Sequence, residues 1–271
     1  MPCVAAWCAQ RYMPRRVRET TPHRSSMPAE NTPFVIQAMH PLANGVVEPV
    51  LAHEDGLALQ WHAGQFFMFH FADEAGEFSR SYSISSPPTD GATEIRFCVS
   101  RVEGGRGTSI LFGMKPGDRI QATGPFGRFV LRERETPERL LLVATGTGLA
   151  PYRAMLPDLE TRARRGTDVH VVMGVRTPRD LFHAEAFREA SAAHENLSFH
   201  VCYSREMPAE PFGDEQPGYV QRVIEDLAPD PATDLVYLCG NPAMIDEVVA
   251  RLSDSGFQPR SIRREKYISP D

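Results

Sequence analysis

The side chains with the most chemical potential stand in short strings, each beside a turn. Arg80-Ser81-Tyr82-Ser83 alternates a cation, a hydroxyl, an aromatic ring and a second hydroxyl. On a strand, residues two apart share a face, so Arg80 and Tyr82 point into one cleft. A cation and a ring so placed suit a pyrophosphate and a flat heterocycle; the same string also describes an ordinary half-buried strand. Further on, Gly104-Gly105-Arg106-Gly107-Thr108-Ser109 is a glycine-rich turn opening a helix, with Thr108 as a capping residue. Free N–H groups at a helix start favour an anion, and a plain flexible turn reads the same way.

Two further strings sit at strand ends. Leu140 to Ala144 is an apolar run followed by Thr145-Gly146-Thr147-Gly148-Leu149-Ala150-Pro151. Proline near the first helical position loses no useful N–H. Pro151 replaces the third glycine of G-x-G-x-x-G, yet the turn still permits close backbone approach to a pyrophosphate. Leu238-Cys239-Gly240-Asn241-Pro242 puts a small polarisable group at the carboxyl edge of a strand, where ligands of open α/β sheets sit. A buried cysteine there is also common as inert packing.

Two kinds of element must hold these strings. Short apolar or alternating runs at Phe34–Met39, Gln65–Phe71, Ser81–Ser85, Glu94–Val102 and Asp118–Thr123, punctuated by Gly and Pro, predict a small antiparallel β-barrel. From Arg139 the rhythm is strand then helix. Strands are expected at 140–144, 168–173, 197–203 and 234–239, and helices at 151–164, 181–194, 220–227 and 242–255. Such alternation calls for an α/β doubly wound parallel sheet. The expected domains are residues 31–132 and 138–271, after a tail over residues 1–30 that is arginine-rich and poor in acids; Met27 is an alternative start.

Composition limits the function. A net charge of −6 and a pI near 5.9 argue against a general nucleic-acid binder. No segment approaches the ~20 apolar residues of a membrane helix. Five scattered cysteines form neither a disulfide framework nor a cluster or zinc spacing, so no metal is expected and a reducing, cytoplasmic compartment is.

In their order, R-x-Y-S, G-x-x-T, G-T-G-x-A-P and C-G-x-x-M, these strings resemble the ferredoxin–NADP(+) reductase family, without an iron–sulfur domain. The resemblance spans about residues 33–267 and includes Gly124-Pro125-Phe126-Gly127-Arg128-Phe129 and Gly174-Val175-Arg176. It implies an FAD-binding barrel followed by an NADP-binding α/β domain. It assigns Arg80, Gly107, Thr108 and Ser109 to the FAD phosphates, Tyr82 to the isoalloxazine and Ser83 to the neighbourhood of flavin N5. Gly146, Thr147, Gly148 and Pro151 would lie under nicotinamide and pyrophosphate, and Cys239 at the hydride-transfer site in a positioning role. Glu265 and Tyr267 resemble the terminal E-x-Y of plant-type members, in which the tyrosine covers the flavin; the added Ile268 to Asp271 departs from that pattern, and Tyr267 as the plain end of a last strand is the alternative.

Ser204, Arg205, Tyr219 and Gln221 resemble the residues that hold the 2′-phosphate of NADP(H), and Arg176, in the Gly174-Val175-Arg176 segment, is placed among the cofactor-binding residues; Glu206 and Glu210 keep NADH open. The implied activity is hydride transfer between NADPH and FAD N5, with single electrons leaving to a ferredoxin or flavodoxin. The alternatives are a reductase component serving an oxygenase or free flavin, and a non-turnover FAD relay or redox-sensing subunit.

Overall fold

The computed structural model describes residues 30–267. The segment expected as a tail lies outside these residues, except that Glu30 opens the first strand; Ile268 to Asp271 also lie outside.

The first half is an antiparallel sheet of β1 (Glu30–Ala43), β2 (Val46–His53), β3 (Phe66–Asp73), β4 (Gly76–Ser83), β5 (Glu94–Arg96), β6 (Val99–Ser100) and β7 (Arg119–Phe126). Its strand order is β4-β3-β7-β1-β2-β5, with β6 beside β2. A bridge between Ile84 and Phe97 joins the two ends of that order, closing the sheet as a barrel. Alternation does the folding: Phe67, Phe69 and Phe71 of β3 are buried while their neighbours are half-buried. Phe69 meets Phe97 edge to face, with ring centroids 5.0 Å apart. The one helix, α1 (Arg106–Gly113), crosses from β6 to β7.

The second half alternates β8 (Arg139–Thr145), α2 (Ala150–Arg164), β9 (Asp168–Val175), α3 (Ala184–Ala193), β10 (Leu197–Tyr203), β11 (Glu215–Pro217), α4 (Val220–Leu227), β12 (Asp234–Gly240), α5 (Pro242–Asp254) and β13 (Ile262–Lys266). All six strands are parallel, in the order β11-β10-β9-β8-β12-β13. Because β8 is central, both its faces are covered. Leu140, Leu142 and Ala144 join the core under α2 and α3, and Leu141 and Val143 join the core under α4 and α5. The first of these cores also takes in Val46, Cys98 and Phe129, so barrel and sheet share buried apolar surface.

Several elements differ from expectation. Strand β2 escaped the alternation test because buried Glu48 and Pro49 interrupt its pattern. The run at 94–102 splits in two where Phe97 turns to bridge Ile84. Edge strands β11 and β13 carry too many polar residues to read as strands. Thr108 does not cap α1: Gly105 holds that position, and the Thr108 hydroxyl accepts from Val102 N at 3.2 Å inside the helix. The helix expected at 181–194 is confined to α3, behind a short 3-10 turn at Pro178–Asp180.

Candidate active site

At the carboxyl edge of the parallel sheet, facing the barrel, lies a cleft of about 1580 Å³. The turn after β8 forms its floor. Gly146 has φ +54°, open to glycine without cost, and begins the 3-10 turn that leads into α2. Gly148 is required by proximity: a Cβ there would stand 2.3 Å from the Cys239 carbonyl oxygen. The turn is thereby pressed onto the end of β12, and the Asn241 N–H donates to Thr145 Oγ1 at 3.0 Å. Pro151 is buried in the first turn of α2. Across the domain boundary, Ser100 Oγ donates to Thr147 Oγ1 at 3.3 Å.

Beside this floor, four residues from both domains meet. Parallel pairing of β12 with β13 sets Cys239 opposite Glu265. The chain then carries Tyr267 along the same edge, its N–H bonded to the Gly240 carbonyl at 2.9 Å. From the barrel, Ser83 at the end of β4 completes the group. The Tyr267 hydroxyl donates to Ser83 Oγ at 2.7 Å, and Ser83 Oγ donates to Glu265 Oε1 at 3.0 Å. Tyr267 also lines the cleft, and its ring stands against the Cys239 thiol. Burial pushes the Glu265 carboxyl up from its ordinary value, opposed by the Ser83 hydrogen bond. Burial, reinforced by the Glu265 charge, raises the Cys239 thiol well above the usual range. Cys239 is therefore a neutral thiol, suited to contact and unsuited to nucleophilic attack. The hydroxyl chain ending on a half-buried carboxyl can hold or pass a proton at the junction.

A second locus lies on the barrel. The Arg80 side chain and the Tyr82 hydroxyl flank Gly107, where a Cβ would come within 3.0 Å of Arg80 Cγ and 3.4 Å of Tyr82 Oη. Arg80 donates to the Ser79 carbonyl at 2.8 Å and has no carboxylate partner among the described residues. No side chain caps α1 and no acid stands in its first turn, so its leading N–H groups carry no side-chain acceptor. A guanidinium without a carboxylate partner, uncapped amides and a Cβ-free approach fit a phosphate-bearing cofactor. The Thr108 hydroxyl is turned to Val102 and away from this locus; Ser109 is exposed and lines the cleft.

At the far end of the cleft stand Arg176, Ser204 and Tyr219, the last 68% exposed. Gln221 lines it too, its amide donating to Glu247 Oε2 at 2.7 Å while its buried Oε1 has no partner. Arg205 is exposed and does not line the cleft; its N–H donates to the Arg176 carbonyl at 3.0 Å. Sequence reasoning missed Arg222 and Arg251, which do line the cleft. Arg251 is paired with Glu225 and Glu247, whereas Arg176 and Arg222 have no carboxylate partner among the described residues. Arg222 directly follows Gln221, and that adjacency was the available signal.

No helix among the described residues is long and apolar enough to cross a membrane. Residues 16–131 match the oxidoreductase FAD-binding domain, and residues 142–250 match the oxidoreductase NAD-binding domain. The chain is 36% identical over 194 residues to the toluate 1,2-dioxygenase electron transfer component of Pseudomonas putida, covering 70% of this chain and 54% of that one. It is thus similar to only about half the length of that relative. It is 31% identical over 239 residues to ferredoxin–NADP reductase B of Sorangium cellulosum, covering 85% of this chain and 95% of the relative. Among solved structures, an Amycolatopsis cytochrome P450 reductase superposes with a TM-score of 0.77 at 28% identity, over 90% of this chain and 71% of that one. With both domain types in order and a relative matched over nearly its full length, the chain belongs to the ferredoxin–NADP(+) reductase family of oxidoreductases that bind FAD and a nicotinamide nucleotide.

Proposed function

We propose that the protein moves electrons between NADPH and a one-electron protein carrier, a ferredoxin or flavodoxin. The observation that carries this reading is the hydrogen-bonded chain Tyr267–Ser83–Glu265 beside Cys239, built from both domains at the inner end of the cleft. FAD, when bound, supplies the exchange between the two-electron chemistry of nicotinamide and the one-electron chemistry of the carrier. The residues do the rest. Arg80 and the leading amides of α1, with Gly107 giving way, hold the pyrophosphate, and Tyr82 flanks the ring system. Gly146, Thr147, Gly148 and Pro151 form the surface on which the nicotinamide half lies, and Cys239 fixes its approach by contact. Ser83 and Glu265 hold a proton near the reacting edge in a site shielded from water. Tyr267 occupies the way in and must yield to nicotinamide.

Preference for NADPH is supported by Arg176 and Arg222, two unpaired guanidinium groups beside Ser204 and the exposed ring of Tyr219. A 2′-phosphate offers them a bidentate partner, which the 2′-hydroxyl of NADH does not.

A reductase component serving an oxygenase is the second reading, favoured by the 36% identity to the Pseudomonas electron transfer component. One experiment separates the two. The purified yellow protein is assayed for NADPH and NADH oxidation with ferredoxin, flavodoxin, free FMN and ferricyanide in turn, and its flavin is released and identified. FAD, NADPH preference and rapid reduction of ferredoxin or flavodoxin are expected. Turnover with ferricyanide alone would turn the search to an oxygenase partner, and FMN as the released flavin would overturn the pyrophosphate assignment.

A further inference from the structure

A second cluster, distinct from the Ser83–Glu265–Tyr267 chain, bridges the two domains. Glu48 projects from β2 and Cys98 from the break between β5 and β6, and both are buried. His183 stands at the start of α3 in the other domain, held at φ +56° in the left-handed region. Its Nε2 lies 3.3 Å from Glu48 Oε1 and 3.5 Å from Cys98 Sγ. The ligand atoms of all three residues lie within 4.8 Å of one another.

Hydrogen bonding explains this arrangement poorly. Both neighbours address the same nitrogen, which carries at most one proton, so a single N–H cannot serve carboxylate and sulfur equally well. Nor is it a nucleophile relay, in which the acid would hold Nδ1 while the thiol met Nε2. Ser85, a residue only 2% exposed, turns its hydroxyl toward Cys98 and meets no other partner at hydrogen-bonding geometry. Arg96 approaches only Glu48 Oε2, at 3.4 Å, which leaves Oε1 turned inward.

We propose that Glu48, Cys98 and His183 form a site for a zinc-like divalent ion that clamps the barrel to the nucleotide-binding domain. Zinc takes nitrogen and oxygen at about 2.0–2.1 Å and thiolate at about 2.3 Å, so tetrahedral ligands stand roughly 3.4 Å apart for N and O and roughly 3.6 Å for N and S. The two measured separations match these edges. Thiolate and carboxylate neutralise the ion, and the thiol proton leaves to solvent as the metal–sulfur bond forms. The Ser85 hydroxyl supplies a further oxygen, or an anchor for water, at the fourth position. The chain beside the ligands also shapes the cleft: Asn44, Gly45, Val46, Asp180 and Phe182 all line it. The Asn44 N–H donates to the Arg179 carbonyl at 2.9 Å, so the same seam is already stitched by backbone. An ion here fixes the width of the cleft without touching either cofactor.

The test uses the flavin-loaded full chain carrying Cys3→Ser and Cys8→Ser, stripped with a chelator and titrated with Co²⁺ and then Zn²⁺. Expected are one Co²⁺ per chain, a thiolate-to-cobalt band with tetrahedral ligand-field bands beyond the flavin absorption, their loss on adding Zn²⁺, and a melting temperature that rises with Zn²⁺ concentration. Cys98→Ser and His183→Asn should each weaken binding at least tenfold. Asparagine tolerates the left-handed backbone, so His183→Asn withdraws the ligand and keeps the turn. Retained flavin and metal-free melting report whether each variant is folded. Should Cys98→Ser not fold, the thiolate band of the parent together with its loss in His183→Asn decides the matter. Absence of a cobalt spectrum in the parent, or affinity unchanged in the folded variants, would overturn the site.

Discussion

The two ends of the cleft are built on opposite principles. At the inner end Ser83, Glu265 and Tyr267 are packed between two domains and bonded in a chain beside Cys239. At the outer end Arg176, Tyr219 and Arg222 stand in solvent with few partners. Polar groups interact more strongly where water is excluded, and each is costly to leave unpaired. The inner end is therefore rigid and intolerant, as a site of chemistry must be. The outer end is weakly held and adjustable one residue at a time, which suits discrimination between two coenzymes.

That contrast is most easily broken at Ser83, which is both donor and acceptor in the inner chain. Ser83→Ala strands the Glu265 carboxyl and the Tyr267 hydroxyl together. Turnover with NADPH and ferricyanide should fall by roughly 10²-fold or more, a usual cost of removing a proton-handling group. Coenzyme affinity measured by titration should change far less.

Gly148→Ala comes next, because its Cβ meets backbone and not a flexible side chain. Overpacking of this kind costs about 1–3 kcal/mol, and each kcal/mol lowers the melting temperature by about 2–4 °C in a chain of this size. A thermal melt showing no loss would mean that β12 is not pressed against the turn.

At the outer end the effects should be smaller and selective. Arg222→Ala removes a charged hydrogen bond worth about 1.5–3 kcal/mol, so NADPH affinity should drop about tenfold or more while NADH binding holds. Arg205→Ala should have a lesser effect, since Arg205 does not line the cleft. Equal losses of both coenzymes in Arg222→Ala would mark Arg222 as structural.

The smallest effect is a pH dependence. Burial raises Glu265 in the folded protein above its ordinary value of 4.5. A raised carboxyl pKa favours the folded state below the unfolded value, and that stabilisation is lost as pH rises through the folded value. Glu265→Gln abolishes the loss. The melting temperature of the variant relative to wild type should therefore climb as pH increases from below 4.5 towards neutrality. A constant difference would show that Glu265 is not held in a desolvated position.

Much of this organisation is written in local pattern, and the rest is not for physical reasons. Leu140 to Ala144 reads as a central strand because five apolar residues in a row need cover on both faces. The β3 phenylalanines read as a half-buried strand because they alternate. Strand β2 is hidden by Glu48, whose burial depends on His183 and Arg96, residues far along the chain that no local window contains. The inner site was legible because its members fall in short ordered strings. Arg222 was missed because it lies outside the strings that carried Arg205, Tyr219 and Gln221, and only the placing of α4 brings it to a cleft that Arg205 does not line. Thr108 suits a cap by type, but the helix starts before it, and its hydroxyl is taken by the Val102 backbone.

The central claim is that nicotinamide reaches the flavin by displacing Tyr267 from its place over Ser83 and Cys239. The direct measurement is long-wavelength charge-transfer absorbance during titration with NADP(H), in wild type and in Tyr267→Ser. If ring and nicotinamide compete for one surface, the variant should show a stronger charge-transfer band and bind NADP(H) more tightly, by an amount on the order of the ~1 kcal/mol that aromatic stacking contributes beyond burial. Its release of coenzyme should slow as well. Identical spectra and identical affinities in the two proteins would contradict the account and place Tyr267 away from the path of nicotinamide.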